Sequence, residues 1–143
     1  MTGTFARHTI VTMIRYVDQV AIAVKNLDEK VKIYESLLLQ SAGSIEEVRS
    51  EKVKLAMFQV GETKIELLEG IGPDSPIHKF IEKRGEGVHH MALKVDDMDR
   101  AINMYKEKGF TFIEPAPRVG AEGSKVAFIH PKSTGGVLIE LVE

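Results

Sequence analysis

Residues 19–34 read QVAIAVKNLDEKVKIY, and residues 90–105 read HMALKVDDMDRAINMY. The second stretch repeats the first at a fixed distance: Val24 and Val95, Leu27 and Met98, Asp28 and Asp99, and Tyr34 and Tyr105 all stand 71 residues apart. Each stretch starts as an alternating run and passes through Asn or Asp into helical spacing, the pattern of a strand followed by a capped helix. A second echo closes each half, IELLE at 65–69 and IELVE at 139–143, now 74 residues apart. Two echoes in the same order predict a duplicated module of about 70 residues, too short a series for a solenoid.

Within each half the order reads β-α-β-β-β. In the first, residues 16–24 form a strand, Asn26 or Asp28 caps a helix to about Leu39, and strands 53–60 and 63–68 are joined at Gly61-Glu62, a tight hairpin signal. A Gly- and Pro-bearing linker over 69–87 carries a short helical run at 78–83. The second half repeats the order with a strand at 89–95, a helix at 98–108 ended by Gly109, and strands at 126–130 and 137–142. The Pro- and Gly-rich segment 114–124 reads as a mobile loop. The expectation is an α+β fold in which two βαβββ modules in tandem form a half-closed mixed sheet around a metal site. Residues 1–13 are an N-terminal extension and 14–143 a single domain. Module one spans about 14–70, the linker about 71–87 and module two about 88–143.

Composition fits that picture. The 143 residues are 43% hydrophobic and 28% charged, a balance that favours a packed globule over a disordered chain. A net charge of −2, from 19 basic and 21 acidic residues, speaks against a nucleic-acid partner. No apolar run approaches a membrane span, and the first dozen residues lack the apolar core of a secretory signal. There is no cysteine, hence no disulfide framework and no thiol nucleophile, which fits a cytoplasmic protein.

The repeat also marks chemistry. Gln19 and His90 are equivalent on the first strand of each half, and Glu66 and Glu140 on the last. Taken singly each is ordinary: a glutamate in an alternating strand faces solvent, and a lone histidine is more often structural than a ligand. Recurrence at equivalent positions is not ordinary. If the halves pack about a pseudo-twofold axis, one imidazole, one amide oxygen and two carboxylates converge, a mixed N/O set suited to an octahedral divalent ion with two open positions. Strand alternation sends His89 and His90 to opposite faces, so only His90 is expected in the site.

The segments VDQVAIAV (17–24), DSPIHKFIEKRGEGVHHMALKV (74–95) and HPKSTGGVLIEL (130–141) resemble the vicinal-oxygen-chelate superfamily and, within it, the methylmalonyl-CoA epimerase family. The resemblance implies a metal-dependent isomerase that takes a proton from C2 of methylmalonyl-CoA and returns one on the other face. Related by the pseudo-twofold, Glu66 and Glu140 can approach C2 from opposite sides and are the expected catalytic bases. It implies metal ligands at Gln19, Glu66, His90 and Glu140, cobalt as the expected ion with zinc, nickel or manganese as alternatives, and a homodimer. Two departures stand out. Gln19 takes the place of the family's usual histidine, giving a set similar to that of glyoxalase I, which is the alternative activity. Leu55 stands where some bacterial members carry a basic glutamate, and the neighbouring Glu46 and Glu47 read as solvated. A metal-free small-molecule-binding protein of the same fold is the further alternative. Lys132, Lys125 and Arg118 flank the second-half loop and are candidates for the CoA phosphates.

Overall fold

The structure, a computed structural model, describes residues 13–120 and 123–143. The expected extension therefore lies outside the described residues, apart from Met13. Among the described residues eight strands form one mixed sheet: β1 (Ile14–Ala23), β2 (Glu46–Val48), β3 (Val53–Val60), β4 (Thr63–Gly70), β5 (Gly87–Val95), β6 (Phe112–Val119), β7 (Lys125–Ile129) and β8 (Leu138–Val142). Three α-helices accompany them: α1 (Leu27–Leu38), α2 (Pro76–Arg84) and α3 (Met98–Glu107). The strand order is β2-β3-β4-β1-β5-β8-β7-β6. This order is a palindrome of the two modules. In each, the first strand pairs in parallel with the last, β1 with β4 and β5 with β8, and the halves meet where β1 and β5 run antiparallel.

The register makes the symmetry residue-specific. Ala21 sits opposite Glu66 and Ala92 opposite Glu140, while across the central seam Gln19 faces Ala92 and His90 faces Ala21. The helices are tied down by the same duplicated chemistry. Asn26 accepts from Glu29 N at the start of α1, and Asp97 accepts from Arg100 N at the start of α3. The closing glutamate of each echo then reaches back to its own module's helix: Glu69 accepts from Leu27 N at 2.7 Å and Glu143 from Met98 N at 3.0 Å. A carboxylate at a helix N-terminus satisfies an orphan donor and meets the positive end of the helix dipole.

The sheet has two working faces. On one, α1 packs over Phe58, Leu67 and Ala56, and α3 over Ala127, Ile129 and Leu141. On the other, Ile77 of α2 joins Ala21, Ala23, Leu55 and Leu68, covering one end. Docking α2 so close requires Gly70, where a Cβ would come within 2.6 Å of Ser75 Oγ and 2.8 Å of His78 N. Ser75 in turn caps α2 through Ile77 N.

Two sequence expectations are corrected. Segment 114–124 is not all loop, because Phe112–Val119 is the edge strand β6. Its Pro115 and Pro117 suggested a loop, yet an edge strand can leave one side unpaired, and the ladder to β7 skips from Ile113 to Arg118 around both prolines. In the first half, the strand that the β-α-β-β-β order calls for and that the sequence does not locate is the short β2 at the opposite edge. Glu46 and Glu47 lie on it and are exposed, as expected, with Glu46 directly opposite Leu55. Among the described residues no helix is long and apolar enough to cross a membrane.

Candidate metal centre and active site

Strand alternation places Gln19, Glu66, His90 and Glu140 on the face away from α1 and α3. They meet there across the central four strands. Gln19 Nε2 donates to Glu66 Oε1 at 2.8 Å and lies 3.3 Å from His90 Nε2, and His90 Nε2 lies 3.7 Å from Glu140 Oε1. The four side chains thus form an unbroken chain through the pseudo-twofold axis, Glu66–Gln19–His90–Glu140. Among the described residues no group of three His, Cys, Asp or Glu side chains is arranged to hold an ion. Gln19, in contact with both Glu66 and His90, links the two halves.

Burial sets the protonation of these groups. Glu66 is only 7% exposed. Desolvation, reinforced by the negative charge of Glu140, pushes its carboxyl up to about 7. Desolvation, with the charges of Asp18 and Glu51, likewise pushes Glu140 up to about 7. Burial and the adjacent His89 hold His90 down to about 4, so the imidazole is neutral. Both directions follow from the cost of keeping a charge out of water without a counter-ion.

The donor set fits a divalent cation. With metal–ligand bonds of about 2.1 Å, neighbouring ligand atoms of an octahedral site lie about 3 Å apart, and His90 Nε2 and Glu140 Oε1, at 3.7 Å, stand close to that spacing. A cation would compensate two buried carboxylates that otherwise retain protons, and a neutral imidazole is the form that ligates. Gln19 would have to turn its amide so that the oxygen replaces Nε2, since an amide N–H only donates.

A further feature was hidden from the sequence. Pairing between β1 and β5 slips by one residue three times, leaving Arg15, Asp18 and His89 as surplus residues; the last two border the site. Asp18 and His89 are pseudo-equivalent, and each directly precedes a member of the site. The bulge overturns the expected alternation at His89: instead of turning to the opposite face, its Nδ1 lies 2.9 Å from His90 Nδ1. Bulges commonly re-aim a side chain beside an active site. Sequence alone signals only that Asp18 and His89 are equivalent in the repeat. It does not show where a ladder slips.

The three expected CoA contacts part company. Arg118 lies on the site face, its guanidinium 5.4 Å from the ring of Phe128, which is the cross-strand neighbour of Glu140. It donates to the Pro115 and Ile113 carbonyls and pairs with no carboxylate among the described residues. Lys132 is exposed in the β7–β8 connection. Lys125 belongs to the opposite face, in line with Ala127 and Ile129. There it pairs with Asp99 of α3 at 4.0 Å and Glu143 at 3.8 Å. It is an ion-pair partner of the helix layer rather than a group at the site. Sequence proximity to the loop could not reveal the face, which is set by strand parity.

Two βαβββ halves pooling four polar side chains across their seam define a class. Residues 18–128 match the model of the Glyoxalase/Bleomycin resistance protein/Dioxygenase superfamily, and the chain belongs to it. The mitochondrial methylmalonyl-CoA epimerase of Dictyostelium discoideum is 40% identical over 88% of this chain and 76% of its own length. The crystal structure of methylmalonyl-CoA epimerase from Mycobacterium tuberculosis superposes with a TM-score of 0.81 at 32% identity, covering 96% of this chain and 93% of that one. A methylmalonyl-CoA epimerase solved in complex with methylmalonyl-CoA and NH4+ superposes with a TM-score of 0.78 at 33% identity, covering 90% and 94%. Within the superfamily, these likenesses put the chain in the methylmalonyl-CoA epimerase family.

Proposed function

We propose that this chain interconverts (2R)- and (2S)-methylmalonyl-CoA. The observation that carries the reading is a pair of twofold-related glutamates, Glu66 and Glu140, brought to one sheet face beside Gln19 and His90, each with its carboxyl pushed to about 7 when no cation is bound. The family supports the same reading, and a general base works best with a pKa near the operating pH. Moving a proton from one face of C2 to the other requires one base that is charged and one acid that is not. Without a cation the two carboxyls titrate near neutrality and supply both forms; with a cation held by both, a glutamate would serve as the acid only once released from the ion and protonated. One glutamate takes the C2 proton onto Oε, the substrate becomes an enolate, and the other glutamate returns a proton from its Oε to the opposite face. Each turnover leaves the proton on the glutamate that began as the base, and exchange with solvent resets the pair before the next substrate of the same hand.

Gln19, Glu66, His90 and Glu140 would hold a divalent cation, cobalt foremost, with zinc, nickel or manganese as alternatives. Bound there, it would lower the energy of the enolate by withdrawing electron density from the thioester carbonyl. Leu55, packed among Val53, Leu68 and Ile77, offers no base and keeps that side of the site apolar. Arg118 and Lys132 would meet the acid groups of the acyl-CoA, and Lys125 has no part in this. A cytoplasmic homodimer completes the reading; the sheet has edges at β2 and β6 that a second chain could shield.

The set Gln, Glu, His, Glu also suits a glyoxalase I. The test is therefore a substrate comparison with enzyme stripped by chelator and then given cobalt. Metal-restored loss of chirality from (2R)-methylmalonyl-CoA, with no turnover of a glutathione hemithioacetal, is the expected result. The reverse preference would overturn the assignment in favour of glyoxalase I, and absence of both activities would favour a small-molecule-binding protein.

A further inference from the structure

His90 presents Nε2 to Gln19 and Glu140 and turns Nδ1 towards His89. The 2.9 Å contact between the two Nδ1 atoms requires one of them to carry a hydrogen and the other a lone pair. If His90 donates, its Nε2 is left with the lone pair that a metal, or the Gln19 amide N–H, requires. If His90 accepts, its Nε2 carries the hydrogen and cannot ligate. The state of His89 Nδ1 therefore decides which nitrogen of His90 faces the site.

Three observations hold His89 in this role. The bulge brings its ring onto His90 against strand alternation. Phe80 of α2 packs edge-on against the His89 ring, with centroids 5.0 Å apart at 72°. Arg84, one turn further along α2, lies 5.7 Å over Phe80 and donates to the Gly136 carbonyl at the entry to β8. Arg84 thereby fixes α2 to the strand that carries Glu140.

We propose that His89 is a positioning residue: its Nδ1 accepts from His90 Nδ1–H and so locks His90 in the tautomer whose Nε2 lone pair points into the site. The inference rests on the proposed metal centre only for its consequence, because the tautomer itself is a property of the protein without metal. Ligating histidines are commonly oriented by a partner on their other nitrogen, and loss of such a partner typically costs 10–100-fold in metal affinity. Here the partner is another imidazole, placed by a bulge and held by an aromatic contact.

The test separates hydrogen bonding from packing. His89→Phe keeps a ring against Phe80 and removes the acceptor. His89→Asn gives up the ring but sets Oδ1 at the reach of Nδ1. Long-range proton–nitrogen NMR of the metal-free protein reads the His90 tautomer directly, and titration with cobalt reads affinity. Expected are a His90 protonated on Nδ1 in wild type and His89→Asn, a mixture of tautomers in His89→Phe, and cobalt affinity 10–100-fold weaker in His89→Phe than in His89→Asn. A His90 protonated on Nε2 in wild type, or a His89→Phe variant with wild-type tautomer and affinity, would overturn the inference. A wild-type protein with the expected tautomer that binds no cobalt would count against the metal centre and not against the His89 contact.

Discussion

Glu140→Gln should stabilise the metal-free protein, and only at high pH. The carboxyl of Glu140 is held at about 7 rather than 4.5, chiefly by desolvation. The sign follows from proton linkage. Below pH 4.5 the group is protonated in both folded and unfolded chains and contributes no difference. Between 4.5 and 7 the unfolded chain releases the proton while the folded chain keeps it, so stability falls as pH rises. Above 7 the loss is complete. At about 1.4 kcal/mol for each pH unit separating the two pKa values, the penalty reaches roughly 3 kcal/mol. Only 17% of the Glu140 side chain is exposed, so solvent screening takes little of this away. Glutamine has the same shape and no charge, and it also relieves the repulsion felt by Glu66. Urea unfolding of chelator-treated protein should show wild type and Glu140→Gln equal near pH 4. Near pH 8 the variant should be more stable by about 3 kcal/mol, or roughly 6–12 °C in Tm. A variant no more stable at pH 8, or one gaining equally at both pH values, would refute the reasoning that this site is strained by its own charge.

Cobalt binding should release roughly two protons at pH 6, one each from Glu66 and Glu140, and far fewer at pH 8.5, as read by calorimetry in buffers of different ionisation enthalpy. Arg118→Ala should raise KM for the acyl-CoA about tenfold with kcat little changed, whereas Lys125→Ala should leave both constants alone; steady-state kinetics distinguishes the two faces. Gly70→Ala should lower unfolding free energy by about 2 kcal/mol or more, measured by denaturant titration, because its Cβ would press on Ser75 Oγ and the His78 backbone.

The duplication was legible because its signals are local. Hydrophobic alternation, the Asn26 and Asp97 caps and the paired IELLE and IELVE closings each depend on neighbours in sequence, and the structure turns them into a palindromic sheet. The recurrence of Gln19 with His90 and of Glu66 with Glu140 was legible for the same reason, and they converge because β4, β1, β5 and β8 are the central strands of the sheet. What escaped the sequence depends on long-range pairing. Edge position alone admits Pro115 and Pro117 into β6. Register slips alone turn Asp18 and His89. Strand parity sends Lys125 to the helix layer, although it neighbours the loop in sequence.

The central claim is that Glu66 and Glu140 serve opposite faces of C2, and hydrogen exchange with single-glutamate variants tests it most directly. In heavy water, metal-loaded wild type should place deuterium at C2 starting from either epimer. Glu66→Gln and Glu140→Gln should each lose epimerisation, and each should still exchange the C2 hydrogen of one epimer, a different one for each variant. Epimerisation at the wild-type rate by either variant, or exchange confined to the same epimer in both, would contradict the account.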